Sequence, residues 1–462
     1  MSAPDFEEPF DHPIHRAAEG GHARQVRGLL DAEPALVGRL DRAGGTPLHR
    51  AVLGHAHAVV TLLLDRGADI HAQYGKGRPA FTSYPPQYSE PIDMALWGGA
   101  RSVHDAMWRN AWNWVRWCLI WRFRKPRPGP LGLKMARLLL NRGASYDLTI
   151  AAALGARDRV TAILDEDPAR IRDARPNLRR PLSAAVQFGH DAIVRLLLAR
   201  GADPTWPDAD DSPRGAALHA AASQGRREIV ELLLAHGADP NGFVDSAGNA
   251  VYAAKTEDIR TLLMAHGGTL DPYDLVWLDR DDEVMRRVTT DPESAYAGCG
   301  GVYPAVVTRQ KRALMQRLLD AGIRVPSTPD GCRSYLLEQP DMLKQLLERG
   351  GLDPDYTDEN GATLLHALCG RDDRGRTMDH RTECAALLLD AGASISPRDR
   401  HFRATPLALA ARYNLPDMVE FLLARGALPH LPDDEPDRTP LAWAEERGHR
   451  EIAQLLRQAG AR

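Results

Sequence analysis

The sequence predicts an all-α solenoid, and three observations support this prediction. A unit of about 33 residues recurs along the chain, and such a period is typical of solenoid proteins. Each unit holds two short apolar segments that are separated by a joint. A glycine follows the second apolar segment in most units, as at Gly67, Gly143, Gly201, Gly237, Gly267, Gly322, Gly350, Gly392, Gly426 and Gly460. A chain built in this way has no single core and offers a long surface instead.

The second unit, residues 46–69, shows how each apolar segment encodes a helix. Thr46 can accept a hydrogen bond from a free backbone N–H, and Pro47 suits the first helical turn. Gly67 can adopt the left-handed conformation that ends a helix. Helices of about two to three turns are marginal alone, so the units must pack on their neighbours. The sequence therefore predicts about thirteen stacked units in a single array over residues 1–462.

Three units end in an acidic residue and a proline instead of a glycine. These ends are Glu33-Pro34, Asp167-Pro168 and Asp291-Pro292. Proline cannot continue a helix, so the helix still stops there. The connection to the next unit should differ, either as a longer loop, which is the favoured interpretation, or as a change in stacking angle.

The repeats resemble ankyrin repeats over nearly the whole chain. The resemblance is closest at residues 46–69, 181–204, 218–241, 405–429 and 439–461. It implies helix-turn-helix units joined by short β-hairpin-like fingers, with binding through the fingers and the inner helices. It also implies that His49, His219 and His366 of the opening motif form hydrogen bonds within the stack. The motif departs from the family pattern at Thr363-Leu364-Leu365-His366, which lacks the proline.

Composition narrows the class of protein. The 58 basic and 62 acidic residues nearly balance, which makes nucleic acid an unlikely general partner. The five cysteines are odd in number and form no C-x-x-C pair, which fits a reducing compartment. The acidic N-terminus lacks an apolar signal core, and no stretch of about 20 apolar residues is long enough to span a membrane. We therefore expect a cytoplasmic protein.

The chain carries no strong signature of an enzyme. The phosphate loop, the nucleophile elbow and the zinc helix motif are all missing from the sequence. Seven of the histidines fall in the opening motif or the joint, where structural roles are expected. Adjacent carboxylates such as Asp210-Asp211 fall in loops, where they are usually solvated. We predict no catalytic residue, metal, cofactor or small-molecule substrate.

The first of three insertions, residues 74–90, corresponds to an enlarged finger. Its Pro-Pro pair and its aromatic residues Phe81, Tyr84 and Tyr88 suit an ordered extended loop. The loop either packs onto its own stack, which is the favoured interpretation, or contacts a ligand through these three residues.

The second insertion, residues 103–130, splits the third unit and is rich in tryptophan and arginine. A helix is predicted between Ser102 and Arg124 with two apolar faces. Each Trp offers roughly 200 Å², so five would expose on the order of 1,000 Å², more than a soluble monomer usually tolerates. We expect part of this apolar surface to be covered. The candidates, in decreasing order of expectation, are the protein's own stack, a protein partner or second copy, a membrane surface and single-stranded nucleic acid. The candidate partner-binding residues here are Trp108, Arg109, Trp112, Trp114, Arg116, Trp117 and Trp121.

The third insertion, residues 371–381, is polar and is predicted to be a solvated loop.

The sequence as a whole favours a non-enzymatic scaffold that binds a protein partner through its fingers and inner helices. The alternative is a membrane-peripheral protein that is anchored by the Trp/Arg-rich helix at 108–124; a membrane surface is possible as a partner but is not favoured.

Overall fold

The computed structural model describes thirteen stretches of the chain. Within them the secondary structure is α-helix, with short 3-10 turns and an isolated antiparallel bridge between Thr357 and Thr363. The helices form two compact bodies, an N-terminal body up to Thr269 and a C-terminal body from Leu270. The described residues are 12–41, 44–74, 90–97, 130–173, 180–207, 215–242, 248–297, 301–325, 336–337, 339–358, 360–370, 380–431 and 438–461.

The N-terminal body contains seven helix pairs in its described residues. In each pair the first, opening helix packs on the second, closing helix, and most neighbouring opening helices contact each other. The pairs are α1 (Pro13–Glu19) and α2 (Ala23–Ala32), α3 (Pro47–Leu53) and α4 (His57–Asp65), α5 (Pro91–Trp97) and α6 (Pro130–Leu140), α7 (Leu148–Ala153) and α8 (Arg157–Glu166), α9 (Pro181–Phe188) and α10 (Asp191–Ala199), α11 (Ala216–Gln224) and α12 (Arg227–Ala235), and α13 (Ala250–Ala253) and α14 (Glu257–Ala265).

The C-terminal body continues the same pattern in its described part. Its helices are α15 (Pro272–Trp277), α16 (Asp281–Thr290), α17 (Val302–Thr308), α18 (Arg312–Asp320), α19 (Pro340–Glu348), α20 (Leu364–Cys369), α21 (Arg381–Asp390), α22 (Pro406–Arg412), α23 (Pro416–Ala424), α24 (Pro440–Glu446) and α25 (Arg450–Gln458). The closing helix α19 follows helical residues 336–337. The helical fold class and the predicted repeat unit are therefore confirmed.

The opening helices begin at caps that the sequence predicted. The Thr363 N–H donates to Nδ1 of His366 at 3.0 Å, while the Thr363 side chain accepts from the His366 N–H. Nε2 of the same ring lies 3.0 Å from the Ala404 carbonyl oxygen of the next unit. With Nδ1 as an acceptor, Nε2 is the protonated donor. The motif histidine thus caps its own helix and ties it to the following unit.

The closing helices end as the glycine series predicts. All ten closing glycines have positive φ, from 61° at Gly350 to 99° at Gly392. Only glycine adopts this region readily, because a Cβ would meet the following carbonyl oxygen. The ends with an acidic residue and a proline also stop their helices, but the longer loop favoured by the sequence is replaced by a compact 3-10 turn, at Pro34–Gly38, Pro168–Arg172 and Pro292–Tyr296.

Successive closing helices are joined by a ladder of surface ion pairs. An aspartate at the end of one closing helix pairs with an arginine that follows the closing helix of the next unit. The pairs are Asp31–Arg66 at 2.7 Å, Asp65–Arg142, Asp165–Arg200 and Asp390–Arg425 at 2.8 Å, and Asp320–Arg349 at 3.1 Å. Each pair is partly exposed and stabilises by about 0–1 kcal/mol.

We expect the ion-pair cluster at the joint between α15 and α16 to give the C-terminal body a pH-dependent stability. Hydrogen bonds from Lys311 and Arg309 lower the pKa of Asp279 below its usual 3.8. A carboxyl group whose pKa is lower in the folded than in the unfolded chain stabilises the fold at any pH above its unfolded pKa. This stabilisation is lost as the pH falls through the folded pKa. Asp279→Asn should therefore destabilise by at most about 1 kcal/mol at neutral pH, because the group is exposed. The difference from the original protein should shrink below about pH 4.

Urea denaturation of both proteins across the acidic range measures this difference. Asn tolerates the left-handed backbone that Asp279 adopts at φ 59°, so the substitution isolates the charge. Asp282→Asn is the matched control, because that carboxylate is 89% exposed and pairs with Arg317 at 2.9 Å. A pH-independent effect of Asp279→Asn would contradict the prediction.

Candidate functional site

Three fingers in the described residues share one design, in which an aspartate organises a tight turn. The N–H of Asp41 donates to the Gly45 carbonyl at 2.8 Å, and that of Asp358 donates to the Ala362 carbonyl at 3.0 Å. In the third finger the Asp399 N–H donates to the Ala404 carbonyl at 3.1 Å. Each aspartate side chain also accepts backbone N–H groups inside its turn. These turns are the hairpin-like fingers that the repeat predicted.

The finger at 399–404 is one residue longer than the other two. Its turn places Arg403 at φ 52°, where the shorter fingers have Gly44 and Gly361. The longer turn carries an aromatic pair, His401 and Phe402, whose ring centroids lie 4.3 Å apart. The Phe402 N–H donates to Asp399 at 2.6 Å. The aspartate therefore holds this aromatic pair in place.

A groove of about 450 Å³ lies beside this finger. It is formed by the finger and by the opening helices α22 and α24 of two successive units, which correspond to the inner helices that the resemblance implies. We call it the Arg412 groove, and it is lined by His401, Phe402, Arg412, Arg438, Ala442, Trp443 and Glu446.

Arg412 packs against two aromatic rings in this groove. Its guanidinium carbon is 4.8 Å from the Phe402 ring centroid and 4.7 Å from that of Trp443. The two rings themselves meet edge to face, with centroids 6.1 Å apart. Cation–π contacts of this kind contribute about 0.5–2 kcal/mol each. The rings therefore hold the guanidinium in one orientation.

The electrostatic environment of Arg412 differs from that of Arg50. Arg50 is buried and pairs with Asp41 at 2.6 Å and with Glu19 at 3.6 Å. Arg412 has no ion pair with any described carboxylate, and its buried Nε has no acceptor among the described residues. The described lining also contains Arg438 and His401, and its one carboxylate is that of Glu446. It is thus a basic, aromatic site.

The candidate residues that the sequence put forward lie outside the described part of the chain. They are Phe81, Tyr84, Tyr88, Trp108, Arg109, Trp112, Trp114, Arg116, Trp117 and Trp121. The described residues at the edges of the three insertions belong to the repeat units. Tyr74 is buried with its ring edge-on to His49, and Pro130 begins α6. Arg381 begins α21, is buried and donates to the Gly370 carbonyl at 2.7 Å.

The residues of the Arg412 groove were missed by the sequence analysis. A signal for them was present. Aspartate and threonine are five positions apart at Asp358 and Thr363 but six apart at Asp399 and Thr405. The extra position carries an aromatic residue beside a histidine, which is unusual for a tight turn.

The described part of the chain offers little for covalent or metal chemistry. Burial raises the pKa of the Cys369 thiol and raises that of Cys384 to about 12, which disfavours the reactive thiolate. Among the described residues, no group of three His, Cys, Asp or Glu side chains is close enough to hold a metal ion. No described helix is long and apolar enough to cross a membrane.

Two comparisons with individual proteins give partial similarities. The chain is 32% identical over 121 residues to the E3 ubiquitin-protein ligase Ufd4 of Drosophila melanogaster, a match that covers 26% of this chain and 4% of that protein. The chain thus spans a small fraction of this relative. The solved ankyrin repeat domain of human ASB11 has 21% sequence identity and a TM-score of 0.31, and the match covers 56% of this chain and 99% of that one.

A family model described as ankyrin repeats (3 copies) matches residues 3–74, 148–244, 182–271, 334–433 and 376–462, which together make up more than half of the chain. These matches include the two shorter fingers, the longer finger and both inner helices of the Arg412 groove. The resemblance drawn from the opening motif and the closing glycines is confirmed. The chain belongs to the ankyrin-repeat family.

Proposed function

We propose that this protein is a non-enzymatic scaffold that binds a protein partner through its fingers and inner helices. Ankyrin repeats are protein–protein interaction modules and typically do not catalyse reactions. The observation that carries the finer proposal is the Arg412 groove, which lies between a finger and two inner helices. Arginine and aromatic residues are enriched among the few residues that dominate binding energy at interfaces.

The finger beside the groove is preorganised. The Arg400 N–H donates to the Asn360 carbonyl of the preceding finger at 2.6 Å. Ser394 is joined to Asp355 of the preceding unit by two hydrogen bonds of 2.8 Å. A surface that is already ordered loses less conformational entropy when a partner binds. These contacts support binding at the longer finger.

The proposal includes a second contact surface and a location. The Trp/Arg-rich segment at 108–124 is proposed to contact the same or another partner, and its role as a membrane anchor stays the alternative. A cytoplasmic location is proposed because Cys369 and Cys384 are free thiols, as expected in a reducing compartment.

Site-specific photocrosslinking tests the proposal. A benzoylphenylalanine residue in place of the exposed His401 should yield a discrete crosslinked protein in cells of the source organism. The same residue in place of Glu420, which is exposed on the closing helix α23, is the matched control and should yield none. A third variant at Trp114 tests the second surface. If position 401 gives no crosslink, or gives the same products as position 420, the finger is not a binding surface and the proposal fails.

A further inference from the structure

We infer that the Arg412 groove recognises an acidic segment of a protein partner, with Arg412 as the residue that receives a carboxylate. This inference rests on the proposed function and names the chemistry of its partner. It is carried by the packing of Arg412 against two aromatic rings, by the fact that no described carboxylate forms an ion pair with it and by the charge of the described groove lining.

The stacking of Arg412 leaves the edge of its guanidinium for a ligand. The Phe402 and Trp443 rings lie 4.8 and 4.7 Å from its guanidinium carbon, and because their centroids are 6.1 Å apart they pack on adjacent sides of it. The N–H groups of a guanidinium point outward in its plane, in a fork that matches the two oxygens of a carboxylate. The same stacking argues against a cationic ligand such as a methylated lysine, because the ring faces that would hold it already contact a cation.

Arg412 differs from Arg425, which follows the closing helix of the same unit and already has a carboxylate partner. Arg425 also stacks on an aromatic ring, that of Phe421 at 5.1 Å, but it pairs with Asp390 at 2.8 Å. The Arg412 guanidinium packs on rings, and no carboxylate in the described part of the C-terminal body forms an ion pair with it. A half-buried charge interacts more strongly with a counter-ion than a charge in water does. A ligand carboxylate would therefore gain a strong hydrogen bond here.

The remaining groove residues favour a peptide that combines acidic and apolar side chains. Arg438 adds a positive charge and His401 a ring nitrogen that can take part in hydrogen bonds, and among the described lining residues Glu446 is the one carboxylate. Ala442 and the Phe402 ring offer apolar surface next to Arg412. The occupant we assign is therefore an extended segment in which glutamate or aspartate alternates with an apolar residue.

Fluorescence anisotropy with the full chain and a labelled peptide of alternating Glu and Leu tests the inference. Arg412→Met should weaken binding at least about tenfold, since a hydrogen bond to a charged group contributes about 1.5–3 kcal/mol. Arg412→Lys should restore part of the affinity, because it keeps the charge but loses the fork. Glu446→Gln should tighten binding, because it removes the opposing charge. Arg425→Met is the matched control and should leave the affinity unchanged.

Several results would overturn the inference. Equal binding of a Lys/Leu peptide, or equal binding by Arg412→Met, would show that the groove does not select an anion. A phosphoserine/Leu peptide that binds while the Glu/Leu peptide does not would assign a different ligand. Should Arg412→Met lower the melting temperature, the Glu446→Gln variant decides, and unchanged or weaker binding there contradicts the inference.

Two further comparisons separate this inference from its premise. The sequence run at 433–437 is itself acidic, so a variant with Asn or Gln at Asp433, Asp434, Glu435 and Asp437 is included. If the peptide binds this variant but not the original protein, the chain's own acidic run is the ligand of the groove. That result would contradict recognition of a partner segment. If position 401 still crosslinks to a protein but the peptide measurements show no preference for an acidic peptide, the proposed function stands. In that case only the inference of an acidic ligand is rejected.

Discussion

Replacing Asp41 with alanine is expected to destabilise the first repeat units by about 3–5 kcal/mol, the usual effect of removing one partner from a buried ion pair. The Asp41 side chain is fully buried, and its Oδ2 lies 2.6 Å from Nε of Arg50. Its Oδ1 accepts the Gly45 N–H at 2.8 Å. The substitution removes the closer carboxylate of Arg50, whose contact with Glu19 is longer at 3.6 Å. It also removes the acceptor for the Gly45 N–H in the finger.

Hydrogen exchange and guanidinium denaturation measure this loss. Because repeat units contact only their neighbours, the loss of protection should centre on α1 to α4. Asp390→Ala is the matched control, since it breaks an ion pair of 2.8 Å in which the aspartate is 67% exposed. The control should change stability by no more than about 1 kcal/mol. Equal effects of the two substitutions would show that burial of the first pair does not matter.

A second large effect is expected at Gly54, in the joint between α3 and α4. An added Cβ would lie 2.0 Å from the carbonyl oxygen of Glu19, the last residue of α1 in the preceding unit. The neighbour is backbone, so the two units must move apart. Gly54→Ala should therefore destabilise by about 1–3 kcal/mol or more, the range for overpacked sites. Gly54 has φ −75°, which alanine adopts freely, so the clash alone causes the loss.

Gly28→Ala is the control for this substitution. Gly28 lies within α2, and a Cβ added there would meet no atom within 4 Å. Alanine at that position should stabilise by roughly 0.5–1 kcal/mol, because glycine is unfavourable inside a helix. Thermal unfolding of the two variants should move in opposite directions. Two shifts of the same sign would mean that the joints do not approach each other closely.

The sequence predicted those parts of the fold that depend on neighbouring residues. Thr363 and His366 are three positions apart, so their cap follows from local geometry, and the closing glycines encode a local backbone conformation. The turns at Pro34, Pro168 and Pro292 were predicted less well. Proline shows that a helix stops, but the apolar residue that makes the turn compact, such as Ile171, is recognised only from its packing.

The Arg412 groove could not be predicted in the same way. Phe402 and Trp443 meet across two units, and the groove depends on one extra residue in a single finger. A difference of one residue in one finger is hard to recognise in the sequence, because the repeat pattern of the unit stays the same. The tryptophans of residues 108–121 were conspicuous for the opposite reason, since they break the pattern, and their role stays a prediction.

The ion-pair ladder gives the array a direction that its similar helices lack. The unit of α3 and α4 presents an acid to the unit that follows and a base to the unit before, since Asp65 pairs with Arg142 and Arg66 with Asp31. A second copy of this unit, or its deletion, would therefore leave an acid opposite a base at each new junction. Repeat number can change here without loss of the ion pairs, whereas a groove built on one altered finger depends on its immediate neighbours.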